Sequence, residues 1–163
     1  MNFTQVLQVL YAIILLFILK QIYNAINTKR RINGKVIAIY MPKSRVVMAI
    51  AAGLLAMMGA FSLLAKDYFG FVYLFAGLGF GYLTMEKILV YDTGLYYSGR
   101  FDKWEDIKKW SYDSSANLLE IETTRIGNKA NRTIPIKLED KDEVLTIIKS
   151  KKNKKKSKSR KKS

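Results

Sequence analysis

Long apolar runs occupy the first half of the chain and short alternating runs the second, with the change near Glu86. From Phe3 to Ile22 the chain reads FTQVLQVLYAIILLFILKQI, and from Val6 to Leu19 only Gln8 and Tyr11 interrupt its apolar character. Val46 to Ala65 holds no charge, nor does Tyr68 to Met85. A helix crossing the hydrocarbon core needs roughly 20 apolar residues. The pattern therefore predicts three transmembrane helices, at about 3–22, 46–65 and 68–85, with a cytoplasmic loop over 23–45. Only Lys66-Asp67 separates the last two spans, so they are expected to form a tight hairpin. The first lacks a positive n-region and an A-x-A-like cleavage site, which favours a retained span over a signal peptide.

After Glu86 the period shortens to that of strands bounded by turn residues. Lys87–Tyr91, Leu95–Tyr97, Arg100–Trp104 and Lys108–Tyr112 read as strands, separated at Asp92-Thr93-Gly94, Ser98-Gly99 and Glu105-Asp106. Leu119, Ile121 and Thr123 share one face of the next run, and Gly127-Asn128 supplies hairpin chemistry. Ile134, Ile136 and Leu138 are expected to point inward on the following strand, which Pro135 confines to an edge or bulge. Asp140 with Glu143 makes a capping-box-like start for a final helix, whose apolar stripe is Val144, Leu145, Ile147 and Ile148. The expected fold class is membrane α plus a small antiparallel β domain of five or six strands over 86–149, closed by a C-terminal helix.

Charge sharpens this division. The 163 residues carry a net charge of +15, yet residues 1–85 contain one acid, Asp67, and the other twelve lie between Glu86 and Ile148. Lys20, Lys29, Arg30, Arg31, Lys35, Lys43 and Arg45 all fall in or beside the loop after the first span. The positive-inside rule places that loop and the C-terminal domain in the cytoplasm and the N-terminus outside, in a multi-pass cell-membrane protein. Within the loop, Ile32 to Pro42 is apolar enough either to lie at the membrane interface or to pack on the domain, and the pattern leaves both open.

Small residues suggest how the spans meet. Ala52, Ala56 and Ala60 recur on the second, and Gly70, Gly77 and Gly81 on the third. Such faces allow close approach of backbones in lipid. Packing within the hairpin is the favoured reading and homodimerisation the alternative. The spans carry no ionisable side chain between their ends except tyrosine, which favours an anchor over an ion-coupled transporter.

The chain has no cysteine and no histidine. Cys/His zinc sites, disulfides and His-dependent nucleophile systems are thereby excluded. No catalytic group, cofactor or metal site is expected. Trp104 and Trp110 read as core anchors rather than a ligand platform. Glu105-Asp106 and Asp140-Asp142-Glu143 read as solvated turn and cap residues rather than general acids or metal ligands. Arg125, Lys129 and Arg132 read as a solvated hairpin tip.

The run EKILVYDTGLYYSGRFDKWEDIKKW, followed by a hairpin and a helix, resembles bacterial pleckstrin-homology-like domains. Gly94-Leu95 and Trp104-Glu105-Asp106-Ile107 carry the likeness. The whole chain resembles uncharacterised families of small three-span bacterial membrane proteins ending in such a domain, a domain of unknown function. The resemblance implies a fold and no established activity. In that fold, headgroup recognition uses a basic strand-turn-strand loop, whereas the turn here, Asp92-Thr93-Gly94, is acidic.

The tail, residues 150–163, is polybasic. Lys151, Lys152, Lys154, Lys155, Lys156, Lys158, Arg160, Lys161 and Lys162 are too concentrated for a packed core, and disorder is expected. With Arg30 and Arg31 they are the candidate contacts to a membrane surface or a partner. The expected partners are the lipid bilayer, with anionic lipid at the inner leaflet, and an unidentified protein. Nucleic acid is a further candidate for the tail, without sequence specificity, because no aromatic interleaves the lysines. The function read from these features is a non-enzymatic, membrane-anchored interaction or regulatory module; the alternative is a transporter or transport-accessory subunit.

Overall fold

The computed structural model describes residues 3–43, 45–125 and 128–160. The chain divides into two compact units. One comprises Met1–Arg31, Ser44–Glu86 and Ser98–Arg100; the other comprises Ile32–Lys43, Lys87–Tyr97 and Phe101–Ser163.

The first unit is built on three helices, α1 (Phe3–Arg31), α2 (Arg45–Leu64) and α3 (Gly70–Thr84). Val9–Arg31 and Arg45–Leu64 are long and apolar enough to cross a membrane. Helix α1 runs nine residues past the expected span, and its last turn carries Lys29, Arg30 and Arg31, cations that complement the negative end of the helix dipole. Helix α3 is shorter than the third predicted span. Its 15 residues extend roughly 22 Å at 1.5 Å per residue, less than the ~30 Å hydrocarbon thickness.

The turn before α3 explains the shortening. Lys66 adopts a left-handed φ of 63°, and its N–H donates to Leu63 O while that of Asp67 donates to Ser62 O. These are the two bonds of a Schellman motif, which ends α2 by satisfying its last carbonyls. Asp67 then accepts the Phe69 N–H at 3.0 Å, so Tyr68 and Phe69 are spent in the turn rather than in the helix.

The second unit consists of antiparallel sheets ending in a C-terminal helix. Its strands are β1 (Val36–Tyr40), β2 (Ile88–Tyr91), β3 (Gly94–Tyr97), β4 (Arg100–Lys103), β5 (Ile107–Asp113), β6 (Leu118–Arg125) and β7 (Asn128–Pro135). They form a four-stranded sheet in the order β1-β2-β3-β4 and a three-stranded sheet in the order β5-β6-β7. The six strands after Glu86 fall in the segments that the sequence pattern marks as strands. β1 does not: it comes from residues expected to be loop, and it pairs with β2 through Tyr40↔Ile88, Ile39↔Leu89 and Ala38↔Val90. A five-residue apolar run has no decisive period, and only its distant partner makes it a strand.

The core of this unit gathers Ile88, Val90 and Leu95 from one sheet with Ile107, Leu119, Ile121 and Ile134 from the other. Trp104 joins them, and its indole N–H donates to Tyr91 O and Asp92 O, both at 3.1 Å. Helix α4 (Lys141–Arg160) presses Val144 and Ile148 into the same core, each contributing about 1.5–3 kcal/mol by burial. One sequence expectation is corrected here. Leu138 is 58% exposed, because β7 ends at Pro135 and a 3-10 turn over Leu138–Asp140 redirects the chain before α4. The backbone of α4 continues through Arg160.

Candidate membrane-surface and helix-packing residues

Glycines set the spacing of the three helices. A Cβ on Gly77 would lie 2.5 Å from Ala56 N and 2.8 Å from Ala52 O. One on Gly70 would meet Gly59 O at 2.6 Å, and one on Gly59 would meet Leu74 N at 2.4 Å. The backbones of α2 and α3 thus touch directly, which only glycine permits. Two residues beyond Gly77, on the opposite face of α3, a Cβ on Gly79 would meet the Ile18 side chain of α1 at 2.4 Å. Helix α3 therefore packs on both neighbours. Ala60 is exposed, and a Cβ on Gly81 would meet nothing within 4 Å. Gly59 and Gly79 join the packing residues without having been expected there. The spacing of Ala52, Ala56 and Gly59 over two helical turns is a signal for the first, whereas nothing local marks Gly79.

Polar groups within the helices find one another. The Tyr11 and Tyr73 hydroxyls lie 2.7 Å apart in a hydrogen bond, and their rings meet edge to face at a centroid separation of 5.5 Å. An apolar surrounding makes such self-satisfaction a structural need. At the other end of α1, Lys29 Nζ lies 3.1 Å from a carboxylate oxygen of Glu86, which is only 6% exposed. Thr28 Oγ1 donates to Gly99 O at 2.8 Å.

The candidate surface cations fall into three groups. Arg30 and Arg31 are exposed at the end of α1. Lys151 and Lys152 are half-buried, and Lys152 Nζ donates to Ile107 O, which returns that side chain to the β unit. Lys154, Lys155, Lys156, Lys158 and Arg160 lie on the α4 backbone, with side chains outside the described residues, as are Lys161 and Lys162 altogether.

In the β unit the residues weighed for chemistry are mostly structural. Arg132 does not belong to a solvated hairpin tip: it forms an ion pair with Asp102, donates to Tyr97 O and lies over the Tyr97 ring. Lys129 is exposed, and the Arg125 side chain lies outside the described residues. Glu105 sits 3.8 Å from Lys103 Nζ on the surface. Asp140 is held above its ordinary carboxyl value by partial burial and then by the Glu139 charge. Asp113 is held below it by hydrogen bonds from the Ser115 hydroxyl and from the Ser115 and Ala116 amides. The Tyr40 hydroxyl is buried without a hydrogen-bond partner among the described residues, and burial, with the Glu143 and Asp140 carboxylates, pushes it far above the usual phenol range. Among the described residues no cluster of His, Cys, Asp or Glu could hold a metal ion.

The segment with two open sequence readings, Ile32 to Pro42, presents a surface of its own. Along β1 the side chains of Ala38 and Tyr40 join or pack against the core, while Val36, Ile37, Ile39 and the following Met41 are exposed.

Residues 86–153 match the family model described as Domain of unknown function (DUF5673). The match begins two residues before β2 and so excludes β1. No curated protein and no solved structure matches the chain significantly.

Proposed function

We propose that this chain is a three-span protein of the cell membrane, with its N-terminus outside, that holds a pleckstrin-homology-like domain in the cytoplasm as a non-enzymatic interaction or regulatory module. The observation that carries the reading is the insertion of the α2–α3 hairpin between two hydrogen-bonded strands. Tyr40 pairs with Ile88, and between them the chain leaves through residues 41–44, forms the hairpin and returns through residues 85–87. Both ends of the hairpin therefore start from one strand pair. That connectivity supports an even number of crossings by α2 and α3, with the Lys66-Asp67 turn on the far side. A 15-residue α3 is compatible with crossing if the bilayer thins locally or flanking side chains reach outward. The cation-rich, acid-free stretch from Lys20 to Arg45 favours the cytoplasm for the strand pair.

Two further features support the domain reading. Antiparallel strands closed by a C-terminal helix support the resemblance to pleckstrin-homology-like domains. Within this unit Asp102 pairs with Arg132 and the Trp104 indole donates to backbone carbonyls, so neither group is left free for chemistry.

Labelling of single cysteines in an otherwise cysteine-free chain tests the topology. Asp67→Cys should react with an impermeant maleimide in intact cells, and Ala116→Cys only after permeabilisation. The reverse pattern, or equal labelling of both, would overturn it. Affinity capture of the full chain in mild detergent should recover a reproducible partner, and undiminished recovery with a chain ending at Glu86 would refute the module reading.

A further inference from the structure

We propose that the outer face of β1 is a membrane-docking ridge, which inserts Ile37, Ile39 and Met41 into the headgroup boundary of an anionic leaflet. This rests on the three-span reading and goes beyond it, because an anchored domain need not touch the lipid. The first ground is exposure. Val36, Ile37, Ile39 and Met41 are 45%, 46%, 55% and 44% exposed, in a strand whose other side chains face the core. A register shift between Val36 and Ala38 breaks the alternation there and leaves Val36 exposed beside Ile37. An edge strand in water is ordinarily guarded by charge on its own outward positions. β1 carries none; its cations stand at its two ends instead.

Those cations give the occupant its chemistry. Lys35 abuts the strand and Lys43 follows it; both are exposed. No acid occurs in the sequence before Asp67. An apolar ridge framed by cations suits a surface that is apolar within and anionic at its rim, which is an anionic bilayer leaflet. The second ground is covalent reach. Five residue steps separate Arg31 from Val36 and five separate Tyr40 from Arg45, so each end of β1 is at most roughly 18 Å of extended chain from a membrane-directed helix end. Docking then orders little additional chain, and its entropic cost is small. Tyr40, which a purely interfacial segment would set at headgroup level, is instead buried in the core. The same strand thereby couples the domain's interior to the membrane surface.

The test uses the full chain in lipid nanodiscs, with an environment-sensitive nitrobenzoxadiazole label on Ile39→Cys and, separately, on Ala116→Cys and Met57→Cys. With phosphatidylglycerol present, the Ile39→Cys label should shift to the blue and be quenched by a spin label near the headgroup, while the Ala116→Cys label is not. Lys35→Gln and Lys43→Gln should each weaken docking roughly fivefold, as should raised salt, seen as loss of quenching. If the Met57→Cys label is quenched by a deep spin label but the Ile39→Cys label stays as water-exposed as Ala116→Cys, docking is refuted and the three-span reading survives. If neither Met57→Cys nor Ile39→Cys is quenched, both fall. Disulfide-linked dimers formed by the unlabelled Ile39→Cys chain under a mild added oxidant, with shielding of the label independent of lipid charge, would assign the ridge to a second copy and overturn the proposal.

Discussion

Arg132 and Asp102 have side chains only 10% and 11% exposed, and each is the other's counter-charge. Removing one partner strands the other in a poorly solvated place, which costs about 3–5 kcal/mol, whereas replacing both by apolar groups of similar size leaves no orphan. Arg132→Met should therefore lower the unfolding temperature of the β unit in detergent-solubilised protein, and Asp102→Leu added to it should restore most of the loss. A double variant no more stable than Arg132→Met would contradict this. Asp113 yields a pH prediction of definite sign. Three hydrogen bonds, from the Ser115 hydroxyl and the Ser115 and Ala116 amides, favour its carboxylate, so its folded pKa lies below the ordinary 3.8. The stabilisation of the β5–β6 turn is complete above that ordinary value and is lost as pH falls through the folded one. Amide exchange at Ser115 and Ala116, corrected for intrinsic rates, should lose protection below about pH 4 and should be insensitive to pH in Asp113→Asn.

At the scale of elements, the helical unit depends on backbone contact that tolerates no side chain at two positions of α3. Gly77→Leu must force Ala52 and Ala56 away, and Gly70→Leu must displace Gly59 and Leu63. Overpacking of this kind costs typically 1–3 kcal/mol and more where backbone must move. Gly81→Leu meets open space and should leave the hairpin intact. Ala56 touches Gly77, and one turn along the same seam Leu74 touches Gly59. Cross-linking between cysteines at Ala56 and Leu74 should fall in the first two variants and persist in the third. Equal loss in Gly81→Leu would point to a contact with another molecule at that face, the homodimer alternative.

For the whole molecule, the decisive fact is that the β unit is discontinuous in sequence. A chain limited to 86–153, the segment that matches the family model, lacks β1 and bares the edge of β2, with Ile88 and Val90 losing their cover. Such an edge invites aggregation. Joining residues 32–43 to 87–153 through a short glycine-serine linker in place of the hairpin should instead give a monomeric folded domain, because Tyr40 and Ile88 are already neighbours. Dispersed amide resonances from the joined chain and aggregation of the 86–153 chain are the expected results; a well-folded 86–153 chain would show that β1 is dispensable.

What could be read along the chain were features that neighbouring residues determine together. The long apolar helices are marked by composition, while the face Leu119-Ile121-Thr123 and the stripe carrying Val144 and Ile148 have a local period that burial follows. Of the small residues expected to form a packing face, Ala52, Ala56, Gly70 and Gly77 meet across the α2–α3 seam, whereas Ala60 is exposed and Gly81 faces open space. Tertiary structure alone decided the rest. β1 is a strand because β2, nearly fifty residues away, offers it hydrogen bonds. Arg132 is an ion-pair partner because the fold brings Asp102 to it, and Gly79 is small because Ile18 arrives from α1. Hydrophobic period is a property of one segment, but hydrogen-bond pairing, counter-charge and close backbone approach each need a second segment. No pattern within the first can specify where the second will be.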